Sequence, residues 1–319
     1  MATSRPMEGD ALAPPRVESE SFVDTLKRIG SRFPLHIFLI ALIVLWSVPT
    51  VALLISSFRD STAIDSDGWW NAIFHPGEWT LENYDGVLSA TGNRDMLKGF
   101  TNSVLITVPA TALVILVAAF AAYAFAWMQF PLRNTLFLLV VALLVVPLQM
   151  TLIPVLRMYN FLAIDSDMPI LGGRVFGNGS WLGIWLAHAA YGLPFAVFLL
   201  RNFFGSLPRD LFESAYLDGA SDLQVFFRIV LPLSMPAIAA LAIFQFLWVW
   251  NDLLIALVLL QDPELYPMTV RINGLVSSFG TNYEVLTAAA FVSMALPLVI
   301  FFALQRYFVQ GVLAGAVKG

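Results

Sequence analysis

Hydrophobic residues make up 59% of this 319-residue chain and charged residues only 12%. Soluble domains are roughly 45–50% apolar and about 25% charged, so this composition excludes a soluble body and indicates an integral membrane protein. A net charge of −5 gives no reason to expect nucleic acid as a partner, and the absence of cysteine excludes disulfides, thiolate metal sites and thiol nucleophiles.

A bilayer core about 30 Å thick needs roughly 20 apolar residues per helix, and six stretches meet that length. They are Pro34 to Ile55, Ser103 to Trp127, Thr135 to Leu156, Trp181 to Leu200, Pro236 to Leu260 and Leu286 to Leu304. Each is expected to be a helix, because lipid offers no partner for an open backbone N–H or C=O. The expected fold class is all-α integral membrane, with 1–33 a polar tail, 34–305 the transmembrane domain and 306–319 a second tail. The first apolar run is too long for a signal-peptide core, and no small-residue cleavage site follows it.

An even number of spans puts both termini on one side. Lys27, Arg28 and Arg32 stand just before the first span, and basic residues mark the cytoplasmic side. Both termini are therefore expected in the cytoplasm. Arg133, Arg201, Arg209, Arg228, Arg306 and Lys318 fall on the same side, against Arg59, Arg94, Lys98, Arg157, Arg174 and Arg271 on the other. The long outer loop from Phe58 to Thr101 carries Trp69, Trp70 and Trp79, residues suited to the membrane interface.

Between the fourth and fifth spans, at about 205–232, lies ESAYLDGASDLQVFFRIVLP, Glu213 to Pro232. Pro208 fits a helix start, and Leu211, Phe212, Ala215 and Tyr216 recur at helical spacing. Gly219 suits a left-handed C-terminal cap. Ser221 and Gln224 fit a capping box opening a second helix, which carries Leu223, Val225, Phe226, Phe227 and Ile229 until Pro232 breaks the pattern. Two readings stand side by side: an amphipathic pair lying on the membrane, or an element that inserts into a cleft on another protein.

The spacing of this loop resembles the signature of the inner-membrane subunits of binding-protein-dependent ABC importers. That signature is Glu-Ala-Ala, three residues, Gly, nine residues, Ile, one residue, Leu-Pro. Here it reads Glu213-Ser214-Ala215, Gly219, Ile229, Leu231-Pro232, with Ser214 the single departure; Asp218-Gly219-Ala220 is similar to the family wording too. The ending Gln305, Arg306, Tyr307, Gly311, Gly315, Val317, Lys318, Gly319 resembles the maltose-type second permease of the carbohydrate branch. The resemblance implies that the first short helix couples to a groove on a dimer of ATPase subunits. It also implies a second permease, an extracellular or periplasmic sugar-binding protein and a sugar substrate, an α-glucoside or disaccharide. It assigns the coupling residues Glu213, Ser214, Ala215, Asp218, Gly219, Ala220, Ile229 and Pro232.

Polar residues inside spans are functional candidates by default. On a continuous fifth helix Gln245, Trp248 and Asp252 share one face, with Asn251 on an adjoining one. Aromatic faces and amides suit sugars, so these four, and Gln149 between Pro147 and Pro154 in the third span, are the candidate solute pathway. Helix packing is the plainer role for Trp248 and Trp250. His36 and His188 lie in apolar spans, and no histidine pair or acidic cluster has metal-ligand spacing. Readings outside the carbohydrate branch are a permease for another solute, such as polyamines or phosphate, and an ion-coupled secondary transporter. The latter would favour inverted repeats with paired broken helices, which are not seen. A membrane scaffold leaves the loop signature unexplained.

No G-x-x-x-x-G-K-[S/T] loop is present, and none of Lys27, Lys98 and Lys318 follows a glycine. The chain is thus expected to bind no cofactor, with ATP and Mg on the partner ATPase. Purified alone it should release no phosphate from ATP; turnover above the buffer blank, retained through further purification, would contradict that.

Overall fold

The computed structural model describes residues 22–90, 95–165, 174–277 and 283–316, with side chains placed for all of these except 22–32, 165, 174, 277 and 307–316. Arg94, Val317, Lys318, Gly319 and the start of the N-terminal tail lie outside the described residues. The chain divides into two units, Met1–Ala52 and Leu53–Gly319. Helix α1 (Phe22–Ser56) supplies the described part of the first unit and runs into the second. It is one helix across Pro34 and Pro49.

The second unit is almost entirely helical. Helices α2 (Ser61–Ser66) and α3 (Glu82–Ser89) lead to α4 (Met96–Trp127), α5 (Arg133–Ala142) and α6 (Leu148–Phe161). A short antiparallel pair, β1 (Ile164–Asp165) with β2 (Arg174–Phe176), precedes α7 (Trp181–Phe204). Helices α8 (Arg209–Leu217), α9 (Asp222–Val225), α10 (Leu231–Leu233), α11 (Met235–Trp250), α12 (Leu254–Leu259), α13 (Met268–Ser277) and α14 (Tyr283–Ala316) complete it.

Helix α4 packs along α7 and against α11, α11 packs against α14, and Met96 of α4 shares a buried cluster with Ala288 and Ala289 of α14. Its small-residue run explains the close approach: Ala118, Ala119 and Ala122 are buried in a core shared with Val197 and Leu200 of α7 and Leu241 of α11. Small side chains let helix backbones meet where lipid-like surroundings give no hydrophobic drive for association. The indole of Trp185 on α7 donates to the Leu105 carbonyl of α4 at 2.8 Å.

Four helices among the described residues are long and apolar enough to cross a membrane: Phe33–Ser56, Met96–Trp127, Trp181–Phe204 and Tyr283–Arg306. The count reaches six if each of two bent pairs is one span. The third expected span is such a pair, bent by 103° between Arg133–Val145 and Leu148–Phe161. Pro147 caps the second piece, whereas Pro154 sits inside α6 without breaking it.

The fifth span departs from a continuous Pro236 to Leu260 helix. Helix α11 stops at Trp250 and α12 begins at Leu254. Asp252 therefore does not extend the face of Gln245 and Trp248, because the backbone leaves helical geometry before reaching it. Pro232 does not end the preceding helix either. A π-turn at Phe226–Val230 comes just before it, and the 74° bend falls one residue after α10, at Ser234. The wider turn accommodates a residue with no N–H to give.

The loop after α1, residues 58–90, is organised around a buried cation. Arg59 bonds Asp67 at 2.6 Å, Glu78 at 2.8 Å and the Gly68 carbonyl at 3.3 Å. Asn83 donates to the carbonyls of Ser57 and Arg59 at 3.0 and 2.8 Å. Trp79 stacks on Phe58 and its indole donates to Ala72. The Arg59 guanidinium, with help from Asn71, holds the Asp67 carboxyl below the usual carboxylate range. A depressed folded value means the ion pair contributes fully above the ordinary carboxylate pKa of about 4 and is lost as pH falls through the lower one. Arg59→Ala should lower the thermal unfolding midpoint and open the 58–90 segment to protease by removing the donor these acceptors share, and thermal unfolding with proteolysis measures both. The difference from wild type should shrink only below about pH 4.

Candidate functional site

The segment between α7 and α11 folds as a helical elbow. Pro208 at the N-cap starts α8 with a fixed φ of −61°, at a position where a missing N–H leaves nothing unpaired. Gly219 turns the chain at φ +80°, in the left-handed region that costs side-chain-bearing residues roughly 1–2 kcal/mol. Nothing lies within 4 Å of the place its Cβ would occupy, so backbone conformation rather than crowding selects glycine. Ser221 accepts from the Gln224 N–H while the Gln224 side chain accepts from the Ser221 N–H at 2.8 Å, a complete capping box.

The elbow is seated on the ends of α4 and α7 by aromatic contacts. Phe212, 2% exposed, stacks on Trp127 of α4 with ring centroids 3.5 Å apart and planes 17° from parallel. The Trp127 indole is itself anchored, donating to the Phe204 carbonyl at 3.0 Å. Phe226 stacks on Phe120 at 4.8 Å and meets Tyr123 at 5.3 Å. The Tyr216 hydroxyl donates to Asp222 at 2.8 Å and lies 3.4 Å from that of Tyr123. The carboxylate of Asp222 and burial together hold the Tyr216 hydroxyl proton more tightly than usual, burial having the larger effect.

Of the apolar stripe of α8, Phe212 is buried and Ala215 half-buried, whereas Leu211 and Tyr216 stay exposed beside the polar groups. Those polar groups are Asp210, Glu213, Ser214 and Asp218, with Leu217 89% exposed at the end of the helix. Ser214 turns its hydroxyl back to the Asp210 carbonyl at 2.8 Å. Ala215, Ala220 and Ile229 are half-buried against the core, and Pro232 is exposed. Three carboxylates on the free face do not suit a helix lying in lipid.

The expected pathway residues separate into two groups. Trp248 is 44% exposed, and Asn251 and Gln149 are exposed, the Asn251 amide donating to the Leu247 carbonyl at 2.8 Å. Gln245 is 2% exposed, between α7 and α11, where Gly192 makes room for it: a Cβ there would sit 2.5 Å from the amide nitrogen. Asp252 is turned inward at the helix break. Its carboxylate accepts from the N–H of Ile255 at 3.3 Å and of Ala256 at 3.1 Å. It therefore caps α12, where the helix dipole favours an anion. Trp250 packs between helices, stacked on Phe246 and donating to the Ser293 carbonyl.

Sequence reasoning placed Phe212 on the apolar stripe and His188 in an apolar span, but passed over Trp127 as the seat of the elbow and Thr107 and His188 as neighbours of Asp252. The one available signal was a small polar set inside apolar spans: Thr107 and Thr111 one helical turn apart, and His188 on the neighbouring helix.

Residues 114–314, from mid-α4 through the elbow to the end of α14, match the family model described as "Binding-protein-dependent transport system inner membrane component". The chain belongs to this family. The osmoprotective compounds uptake permease protein GgtD of Synechocystis sp. is 52% identical over 291 residues, 90% of this permease and 92% of that protein. The alpha-glucoside transport system permease protein AglG of Rhizobium meliloti is 40% identical, covering 92% and 99% of the two chains. Among solved structures, a chain of a bacterial ABC transporter that imports the acidic polysaccharide alginate superposes with a TM-score of 0.69 at 20% identity, over 91% of this permease and 99% of that chain. At that identity the likeness shows a shared fold. The permease is an inner-membrane transport component rather than an enzyme.

Gly219→Ala should lower stability by roughly 1 kcal/mol and Gly219→Asn by less, since Asn tolerates left-handed backbone. Phe212→Ala should cost about 3–5 kcal/mol through the cavity it leaves against Trp127. Thermal unfolding of the purified permease ranks the three.

Proposed function

We propose that this permease is one of two membrane subunits of an ATP-driven importer of small carbohydrates, and that the elbow is where it receives motion from an ATPase dimer. Six spans with both termini in the cytoplasm put the elbow on the ATPase side. The observation that carries the reading is the pairing on α8 of one buried anchor with exposed charge: Phe212 stacks on Trp127 of α4, while Asp210, Glu213 and Asp218 are exposed to a soluble partner. An amphipathic helix meant for lipid would turn the other face outward.

In this reading Glu213 makes polar contact with the ATPase, and Gly219 lets the chain reverse directly after the docked helix. Ser214, Ala215, Asp218 and Ala220 line the dock, while Ile229 and Pro232 carry the movement towards α11. ATP and Mg are held by the partner. A periplasmic or extracellular binding protein delivers the solute, and a second permease completes the pathway. Trp248, Asn251 and Gln149, exposed on this chain, are the groups for the solute or for the sister permease, with Gln245 and Asp252 shaping the backbone behind them. An aromatic face beside amides suits a polyhydroxylated solute. The two relatives, named for alpha-glucosides and for osmoprotective compounds, support a solute of that class.

The test uses the permease assembled with its sister subunit and ATPase. Glu213→Arg and Gly219→Val should each lower solute uptake at least tenfold, either by losing the ATPase on purification or by leaving ATP hydrolysis unresponsive to the loaded binding protein. Uptake at the wild-type rate in both variants, with the complex intact, would end the docking role of the elbow.

A further inference from the structure

The break between α11 and α12 encloses a small polar chamber. Its walls come from four directions: Ser103, Ile106 and Thr107 of α4, His188 of α7, Val249, Trp250, Asp252 and Ala256 around the break, and Pro267 before α13. The space open to the centre of a water is about 10 Å³, roughly what one water needs. Four polar side chains line the chamber, and Ser103 is already engaged with the Met268 N–H, which leaves Thr107, His188 and Asp252. The Asp252 carboxylate lies 3.9 Å from His188 Nε2, too far for a direct hydrogen bond yet within the span one bridging water covers. Thr107 is 1% exposed, and its hydroxyl has no hydrogen-bond partner. A buried hydroxyl in that state is destabilising unless solvent reaches it.

The surroundings hold this chamber at a mechanically sensitive place. Asp252 already caps α12 through two N–H groups, and its own carbonyl accepts from Thr269 Oγ1 at 2.6 Å. The far end of α12 is fixed as well, the Leu259 carbonyl accepting from the Gly179 N–H at 2.7 Å. Ser103 Oγ accepts from the Met268 N–H at 2.9 Å, tying the start of α13 to α4. Among the described residues, the one carboxylate lining the chamber is thus the one that sets where α12 begins.

We propose that this chamber binds a single water, which joins Asp252 to His188 and Thr107, and that these three are positioning residues for the α11–α12 break. The water donates to the carboxylate and exchanges hydrogen bonds with the threonine hydroxyl and the imidazole. Helices α4 and α7 are thereby connected to the residue that caps α12, so α12 holds its angle only while α4 and α7 keep this spacing. Movement of α4 relative to α7 would release the water and free the short helix. Asp252 then acts on the pathway through the backbone of the break, not by touching solute. Only the transport readout of this inference rests on the proposed function.

The experiment pairs a density map with a mutational cycle, both on the full importer complex. A map that resolves ordered waters should place one within hydrogen-bond distance of Asp252, His188 and Thr107; a dry chamber at that resolution overturns the proposal. Thr107→Val should lower the unfolding midpoint and reduce uptake several-fold. Thr107→Ser, which keeps the hydroxyl, should restore both. Combining Thr107→Val with Asp252→Ala, which removes the accepting oxygens, should be no worse than Asp252→Ala alone, because either change removes the same bridge. Additive losses, or a Thr107→Val protein equal to wild type, would overturn the linkage. A non-additive unfolding midpoint in a complex whose uptake ignores the elbow variants would uphold the chamber and reject the docking role.

Discussion

Backbone hydrogen bonding dominates this structure. A chain crossing hydrocarbon has no water to satisfy an open N–H or C=O, so every departure from helix needs its own local solution. This permease leaves helical geometry at several places inside its apolar stretches and finds a different solution each time. Between α5 and α6 a 3₁₀ turn at Leu143–Val145 precedes Pro147, which has no N–H to leave open. Before Pro232 a π-turn widens the helix, and at Ser234 the chain bends. Between α11 and α12 the carboxylate of Asp252 supplies the missing acceptors. These breaks are the places where the packed helices can change their mutual geometry without rupturing a long hydrogen-bonded ladder.

The elbow and the α11–α12 break sit at opposite ends of the same set of contacts. Helix α8 is held to α4 by the Trp127–Phe212 stack, and α9 by Phe226 against Phe120 and Tyr123. Helix α4 in turn carries Ser103 and Thr107 towards the break. One long helix therefore has the elbow at one end and the polar chamber near the other. Trp127 is locked by its own bond to the Phe204 carbonyl, which gives that end of α4 little freedom to slip relative to α7.

Much of this was legible in the residues. The apolar stretches at 103–127 and 181–200 mark long helices because composition alone decides them. The turn at Gly219 and the box formed by Ser221 and Gln224 are also local: a left-handed φ and a side chain three residues away require no information from elsewhere. The continuous fifth helix was misread for the same reason in reverse. Hydropathy continues from Leu247 to Leu260, and hydropathy carries no signal for a helix that stops and restarts. The position of Pro232 was equally ambiguous, since a proline ends a helix in one context and follows a π-turn in another.

By itself the sequence determined an all-helical membrane chain, the place and form of the elbow, and, through the spacing Glu213 to Pro232, the family. Those properties depend on composition and on residues within one or two turns of each other. Tertiary structure alone decided that Phe212 is an anchor, that Gln245 and Asp252 point inward while Trp248 and Asn251 stay exposed, and that Arg59 ties together the 58–90 loop. Each of these depends on partners far away in the chain: Trp127 for Phe212, Gly192 for Gln245, His188 and Thr107 for Asp252. The reason is physical: inside an apolar bundle a polar or aromatic side chain takes its role from what the neighbouring helix places opposite it, and no local pattern encodes that neighbour.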